Sequence, residues 1–525
     1  MSNDNSASAA GFVTYEAFGA AGDGVTDDLP AIVAAHDYAN SHGLPVRSRP
    51  DATYHLGRRA LTAVIATDTD WSTSRFTIDD APHNDSIEDH KRPLFAVRSL
   101  LPPETLAIER LTRDQAHADV RHADVAAADG GHAYHVLVEN DTVRRYIRRG
   151  LNQNAGTPQH DVFILRPDGS IEGDIDWDYV PGVPGAHTIT RIEARPIDPS
   201  PLTLRGGFFT TLANRMVQPV GYNYWARNIE ITRSNTTVEG LTHYVAGETA
   251  VGHPYSGFLS IHDCADITLR DCFLTPHKIY STIGSAGLPV MMGSYDIQAN
   301  NVVNFAMVRC AMHAICDRTR WGLIGTNFCK NILLEDCTLS RMDTHQGVSG
   351  SYTIRRCRLG HMGLNAIGRG TLTVEDSTLY GRHLVNFRDD YGSTWEGDLV
   401  IRGCTWIPSC GDPTWSGVIG VHNDGTHDFG YPCSMPRRVT IDGLHVDDSA
   451  APEGYTGLIL FSDPDDLPGG VRLSDGPVAP DAARPYPYAR TETLTIRGLV
   501  TTSGKPPRIS PNAALAAAID VVDGA

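Results

Sequence analysis

One short pattern recurs from about residue 230 onward, and it limits what this chain can fold into. Alternating apolar residues lead to a small or acidic pair and then to Cys or Leu. It reads Thr237-Val238-Glu239-Gly240-Leu241, Thr268-Leu269-Arg270-Asp271-Cys272, a looser Met307-Val308-Arg309-Cys310, and Leu333-Leu334-Glu335-Asp336-Cys337. It returns as Thr353-Ile354-Arg355-Arg356-Cys357, Thr373-Val374-Glu375-Asp376-Ser377 and Val400-Ile401-Arg402-Gly403-Cys404, with weaker copies at 440–444 and 495–499. The step is 20 residues from Cys337 to Cys357, 20 to Ser377 and 27 to Cys404. Such a period marks a solenoid, whose repeats bury a face only by stacking. Alternation with period two makes each repeat a set of strands, and a longer step marks a loop inserted at one corner. The expected fold is all-β, a right-handed parallel β-helix.

The same stacking gives the cysteines a role. Cys272, Cys310, Cys337, Cys357 and Cys404 share one repeat position, which predicts an inward ladder of small hydrophobes. No Cys-x-x-Cys pair occurs among the ten cysteines, and the spacings fit no zinc pattern. Disulfides are therefore not expected, and free thiols suit a reducing compartment. The first eleven residues lack the charged and apolar regions of a secretory signal, so a cytoplasmic location is expected unless a leader was removed. No apolar run is long enough to span a membrane. The net charge of −18 argues against nucleic acid or an anionic membrane as partner, and more weakly against a heavily anionic polymer.

Near the N-terminus, Phe18-Gly19-Ala20-Ala21-Gly22-Asp23-Gly24-Val25-Thr26-Asp27-Asp28 precedes the Ala-rich run from Ala31. Thr26 or Asp27 suits an N-cap and Pro30 a first turn, which predicts a helix to about Asn40. With the later Pro50-Asp51-Ala52-Thr53-Tyr54, this segment resembles the N-terminal signature of the pectate-lyase-like β-helix superfamily. The resemblance covers about the first tenth of the chain. It implies that the helix caps the solenoid, and it says little about chemistry, since hydrolases, lyases, epimerases and tailspikes share it. The expected organisation is a cap and first strands at 1–57, an inserted α+β subdomain flanking the groove at 58–200, coils at 201–505 and a tail at 506–525. A charged helix is expected in the insertion from Glu104 to Ala128, then strands at 135–138 and 162–165.

The polar residues just past the ladder position are predicted to stack as one outer stripe, neighbours about 5 Å apart. Six residues on from the ladder stand Lys278, Cys316, Asp343, Gly363 and His383; eight on stand Arg318, His345 and Asn365, with Asp317 between the two registers. Three segments mix carboxylates, guanidinium groups and Trp, namely 317–322, 341–347 and 388–396. Sugars suit that mixture, because planar charged groups grip hydroxyls and an indole supports a ring face. Hydrolysis of a glycosidic bond needs one carboxylic acid and one carboxylate. The expected function is thus a glycoside hydrolase or transglycosylase on a poly- or oligosaccharide, with Asp343 paired with Asp317, Asp389 or Asp390, and His345 beside it. Lys278, Arg318, Arg320, Trp321, His361, Asn365, His383, Arg388, Trp395 and Glu396 are the expected substrate-binding residues.

Asp343-Thr344-His345 also resembles the Asp-x-His element of alginate C5-epimerases, although Thr344 and Gln346 depart from that family's flanks. In that family a His and a Tyr act on the proton alpha to a uronate carboxylate, which a Lys or Arg neutralises. The resemblance makes a polysaccharide lyase or epimerase the alternative, with Lys278, Arg318 or Arg388 as neutralising group. A non-catalytic, tailspike-like glycan-binding protein is the third reading, which trimerisation would favour; the partners expected are a poly- or oligosaccharide and further copies of the chain in a trimer or dimer. No cofactor is expected. His345, His361 and His383 stand at offsets of eight, four and six and need not converge on a metal; only calcium, on Asp389 and Asp390, would suit the carboxylates.

Overall fold

Each repeat turns its corner on a residue in the left-handed backbone region. Asp271, Arg309, Asp336, Arg356 and Asp376 have φ of 47–54°, and Gly403 takes the same corner at 60°. The residue before the ladder position is thus the bend that ends one strand and starts the next, a conformation that Asp and Gly tolerate best and that Arg309 and Arg356 also adopt. The computed structural model describes residues 11–523 apart from 58–59, 80–90, 105, 107, 114–118, 121–130, 149–152, 181–182, 184, 214–223, 250–254, 285–286, 414–416, 423–427 and 464–487.

Twenty-eight strands form one continuous sheet system whose pairings are parallel. Lys330–Glu335 pairs with Ser349–Arg355, which pairs with Gly368–Glu375, then Trp395–Trp406, then Arg438–Val446. The chain is a right-handed parallel β-helix. The five ladder cysteines are free and buried, their thiols set against the preceding coils, as where Cys337 donates to Met307 O. One disulfide departs from expectation: Cys316 joins Cys410, outside the ladder, where two corner loops meet.

The capping helix is Leu29–His42, with Pro30 in its first turn, and Gly43 in the left-handed region ends it. Its N-cap is Asp28 rather than Asp27 or Thr26, and the Asp28 carboxylate accepts from Ala21 N and Gly22 N, tying down the glycine loop. Leu29, Ile32, Ala35, His36 and Ala39 are buried over the first coil. The tail carries the short helix Ala513–Ala518.

The coils begin earlier than the expected boundary at 201. Ala63–Ile65, Thr69–Asp79 and Phe95–Val97 stack in parallel with one another or with Leu202–Leu212 and Ile229–Ile231, so the insertion enters only after residue 97. Within it a four-stranded antiparallel sheet is formed by Ile171–Glu172, Thr157–Leu165, Tyr134–Arg145 and Arg191–Pro196, over its own apolar core. The expected helix at 104–128 is corrected where it is described: Ile108–Arg110 and Asp119–Val120 pair as antiparallel strands, while 121–128 lie outside the described residues. The insertion docks through a buried ion pair, Lys330 Nζ to Asp161 Oδ1 at 3.1 Å, and through Val162 and Ile164 against Ala265 and Val303.

Candidate functional site

The strand Thr338–Gln346 alternates between core and wall. Met342 belongs to the core and Thr344 is buried beside Thr326. Arg341, Asp343 and His345 therefore occupy the outer face, as period two requires. At its end the register slips by one residue: Thr326 pairs with Thr344, but Asn327 pairs with Gln346. His345 is the extra residue of this bulge, a device that re-aims a side chain. The Asn327 side chain stands in for the lost ladder bonds, its Oδ1 accepting from His345 N at 3.0 Å and Gln346 N at 3.1 Å.

Asp343 is fully buried and accepts from three groups: Arg341 at 2.9 Å, Arg388 at 2.9 and 3.2 Å on its two oxygens, and His345 Nε2 at 2.7 Å. Burial pushes its pKa up, but Arg341, Arg388 and His345 outweigh burial and hold the carboxyl well below the usual range. Asp390 lies alongside, bonded to Arg388 Nε at 2.9 Å and Nη2 at 2.8 Å, with Arg148 Nε 2.7 Å away. Burial opposes its ionisation too, and Arg388 and Arg148 overcome it. Burial, reinforced by Arg388, lowers the His345 pKa to about 4 despite Asp343.

These states fix the hydrogen positions. An ionised carboxylate only accepts, so His345 Nε2 carries the ring proton and donates to Asp343. Nδ1 is left to accept, and the Tyr295 hydroxyl lies 2.9 Å from it. The result is a Tyr295–His345–Asp343 chain in which the imidazole can take the phenol proton while the carboxylate orients it. His345 is 20% exposed. The Tyr295 ring lies over Gly325, where an added Cβ would stand 2.5 Å from Cε1. Two Asp and three Arg leave the cluster with a net positive charge, and Arg148 is supplied by the insertion.

The wall continues toward the C-terminus. Asn365 follows Asp343 in register and pairs with Asn386, which pairs with Gly420; Asn386 Nδ2 donates to Asn365 Oδ1 at 2.7 Å. Around this column lies a groove of about 900 Å³ lined in part by His361, Asn365, His383, Asp389 and Asp463. Burial lowers the pKa of His361, and that of His383 to about 4.

The structure thus gathers Asp343, His345, Arg388 and Asp390 in one cluster, and His361, Asn365, His383 and Asp389 in the adjoining groove. It sets other expected residues elsewhere. Asp317 closes a turn, accepting from Thr319 N and Oγ1, and pairs with Arg320 at 3.3 Å. Arg318 pairs with Asp412, and Lys278 N donates to Glu248. Trp321 is the exception: it packs against Gly293 and lies beside the cluster, with the Arg341 guanidinium 5.0 Å from its ring centroid. Trp395 is a correction: it is fully buried, because it shares strand parity with the core residues Leu399 and Ile401. Glu396 faces outward and pairs with Arg113 of the insertion at 2.6 Å. The Asp390 carboxylate is taken up by the guanidinium groups of Arg388 and Arg148; among the described residues no group of three His, Cys, Asp or Glu is placed to hold a metal. Tyr295, Arg148 and Asn386 were missed. Arg341 lies in the segment 341–347 that the sequence marks out, and its two-residue spacing from Asp343 places both on one face.

Fold and wall define the class: a parallel β-helix protein with a charged, hydrogen-bonded cluster at the head of a polar groove. Two solved structures are similar along nearly the whole chain. The tailspike gp61 of Pseudomonas phage phi297 superposes with a TM-score of 0.52 at 13% identity, covering 97% of this chain and 84% of that one. Tailspike gp49 of Pseudomonas phage LKA1 gives 0.51 at 13%, with the same coverage. At this identity the likeness is one of fold. The capsule KL64-specific depolymerase of Klebsiella phage P510 is 27% identical over 211 residues, 36% of this chain and 20% of that protein. The match therefore spans about a fifth of that relative's length. No family model matches.

Proposed function

We propose that this chain is a polysaccharide depolymerase that breaks a uronate-containing glycan by proton abstraction and elimination. Cleavage of a polysaccharide is supported by the sequence similarity to a capsule depolymerase. The chemistry rests on one observation, the Tyr295–His345–Asp343 chain beside Arg341, Arg388 and Arg148. His345 Nδ1 takes the phenol proton and the Tyr295 oxygen takes the C5 proton of the uronate. The cationic cluster offsets the charge that develops on the uronate carboxylate. The C4–O bond then breaks, a C4=C5 bond forms, the leaving oxygen takes the proton from Tyr295, and His345 Nδ1 returns its proton to the phenolate.

Paired-carboxylate hydrolysis has less support. A general acid must carry a proton at working pH, and Asp343 and Asp390 are both held ionised by guanidinium groups. A hydrolase would have to draw on Asp389 and Asp463, which line the groove. A binding role without turnover would leave the relay unused. Digestion of uronate-containing polysaccharides decides among the three. Elimination gives products with the absorbance of a 4,5-unsaturated sugar, hydrolysis gives new reducing ends without it, and binding gives neither.

A further inference from the structure

The charge changes sign along the wall, and this bears on which glycan fits. At the cluster Arg148, Arg341 and Arg388 outnumber Asp343 and Asp390. In the groove beyond it Arg382 is outnumbered by Asp389 and Asp463. The His361 and His383 rings there are held neutral by burial, so they add hydrogen-bonding groups and no positive charge. His383 Nδ1 lies 2.7 Å from Gly417 O, and Asn386 and Asn365 present amides in register along the coils. Gly420 keeps the floor low at this point, since an added Cβ would come within 2.6 Å of Asn386 Oδ1 and 2.7 Å of the His383 ring.

From Asp343 the column passes through Asn365, Asn386 and Gly420 to the level of Ser462, four inter-strand steps. At about 4.8 Å each, the groove runs about 19 Å on the C-terminal side of the cluster, the length of a short oligosaccharide. A second carboxylate-bearing sugar in that stretch would meet Asp389 and Asp463 inside a protein of net charge −18. Hydroxyl and amide groups would instead meet amides that give and accept hydrogen bonds, and the His383 ring, whose Nε2 accepts because Nδ1 donates to Gly417 O.

We infer that the substrate is a heteropolysaccharide in which a single uronate enters the cationic cluster while neutral sugars, amide-bearing ones included, fill the groove on its C-terminal side. This rests on the elimination reading of the cluster. The substrate class so defined excludes homopolyuronates, whose successive carboxylates the groove repels.

The test is digestion of two sets of polymers by the full chain. One set is polygalacturonate and polymannuronate; the other is bacterial capsular polysaccharides whose repeat units carry one uronate among several neutral sugars. Cleavage is followed by unsaturated-product absorbance and binding by retardation in gels cast with each polymer. The expected result is unsaturated product from a member of the second set, with retardation by it, and at least tenfold slower cleavage of the first. Asn386→Ala is expected to raise KM on the cleaved polymer about tenfold with kcat little changed. Comparable or faster unsaturated product from a homopolyuronate overturns the inference while leaving elimination standing. Saturated products from a heteropolymer overturn elimination instead. A second set that is neither cut nor retarded, or an Asn386→Ala variant with wild-type KM, counts against the groove assignment.

Discussion

Replacing Asp343 by Asn distinguishes an orienting carboxylate from a proton donor. The side chain is fully buried and receives hydrogen bonds from Arg341, Arg388 and His345 at 2.7–3.2 Å. An amide keeps one acceptor oxygen and turns N–H groups toward two guanidinium ions. Breaking a buried ion pair from one side costs about 3–5 kcal/mol. Asp343→Asn should therefore lower the unfolding midpoint clearly, unlike an exposed acid. It also removes the partner that fixes the imidazole tautomer, a change worth about 10⁴ in turnover in a Ser–His–Asp triad. Tyr295→Phe deletes only the phenol oxygen, so it should cost about 1 kcal/mol of stability yet lose turnover by at least about a hundredfold. The discriminating assay is the pH profile of kcat/KM. Wild type needs His345 neutral, so activity should fall on the acid side near the lowered pKa of about 4 rather than near 6.5. Asp343 raises that pKa, so in residual Asp343→Asn activity the acid limb should move to lower pH. An Asp343→Asn protein with wild-type turnover and midpoint, or an acid limb unmoved from wild type, would refute this account of the carboxylate.

Trp395→Ala should act as a core deletion, costing about 3–5 kcal/mol in denaturant unfolding and leaving KM of the folded fraction unchanged. Gly325→Ala places a Cβ against the Tyr295 ring; kcat should drop at least tenfold with little change in far-UV circular dichroism, and wild-type kcat would show that the ring has room to move. Asp296 is fully buried, and burial pushes its pKa up to about 8 against the pull of His277. Its folded-state pKa lies above the unfolded one, so the stability it contributes is fully present below the ordinary carboxylate range and is lost as pH rises through about 8. Thermal midpoints of wild type should fall as pH rises from about 4 to about 8 and level off above it, and Asp296→Asn should flatten that fall.

The architecture was legible because the repeat records a backbone event. The residue before each ladder cysteine adopts a left-handed corner, a choice legible in Asp271, Asp336 and Gly403 and held also by Arg309 and Arg356. The ladder followed from the same alignment, and the one disulfide escaped it because Cys316 and Cys410 lie in corner loops 94 residues apart. Trp395 was legible and misread, since counting by two from Leu399 and Ile401 turns it inward. The insertion's share of the site was not legible. Arg148 reaches Asp390 across 242 positions of sequence, and only the docking of a second sheet brings them together.

The stripe itself shows why constant offsets fail in a solenoid. Leu339 pairs with Leu359, 20 residues on, but Arg341 pairs with Gly363, 22 residues on. Two extra residues at that corner carry Asp343 into line with Asn365 and then Asn386, instead of Gly363 and His383. One coil earlier, the bulge at His345 slips the register again. Both irregularities are held by side chains, Asn365 Nδ2 donating to Met362 O and Asn327 Oδ1 accepting two backbone N–H groups. A uniform coil would bury every second residue and expose the rest at one height. Breaking the register twice around Asp343 lets five charged side chains and an imidazole converge, because residues from different heights are brought to one place. Asn327→Ala would therefore release the bulge and misplace His345 without removing any group of the relay.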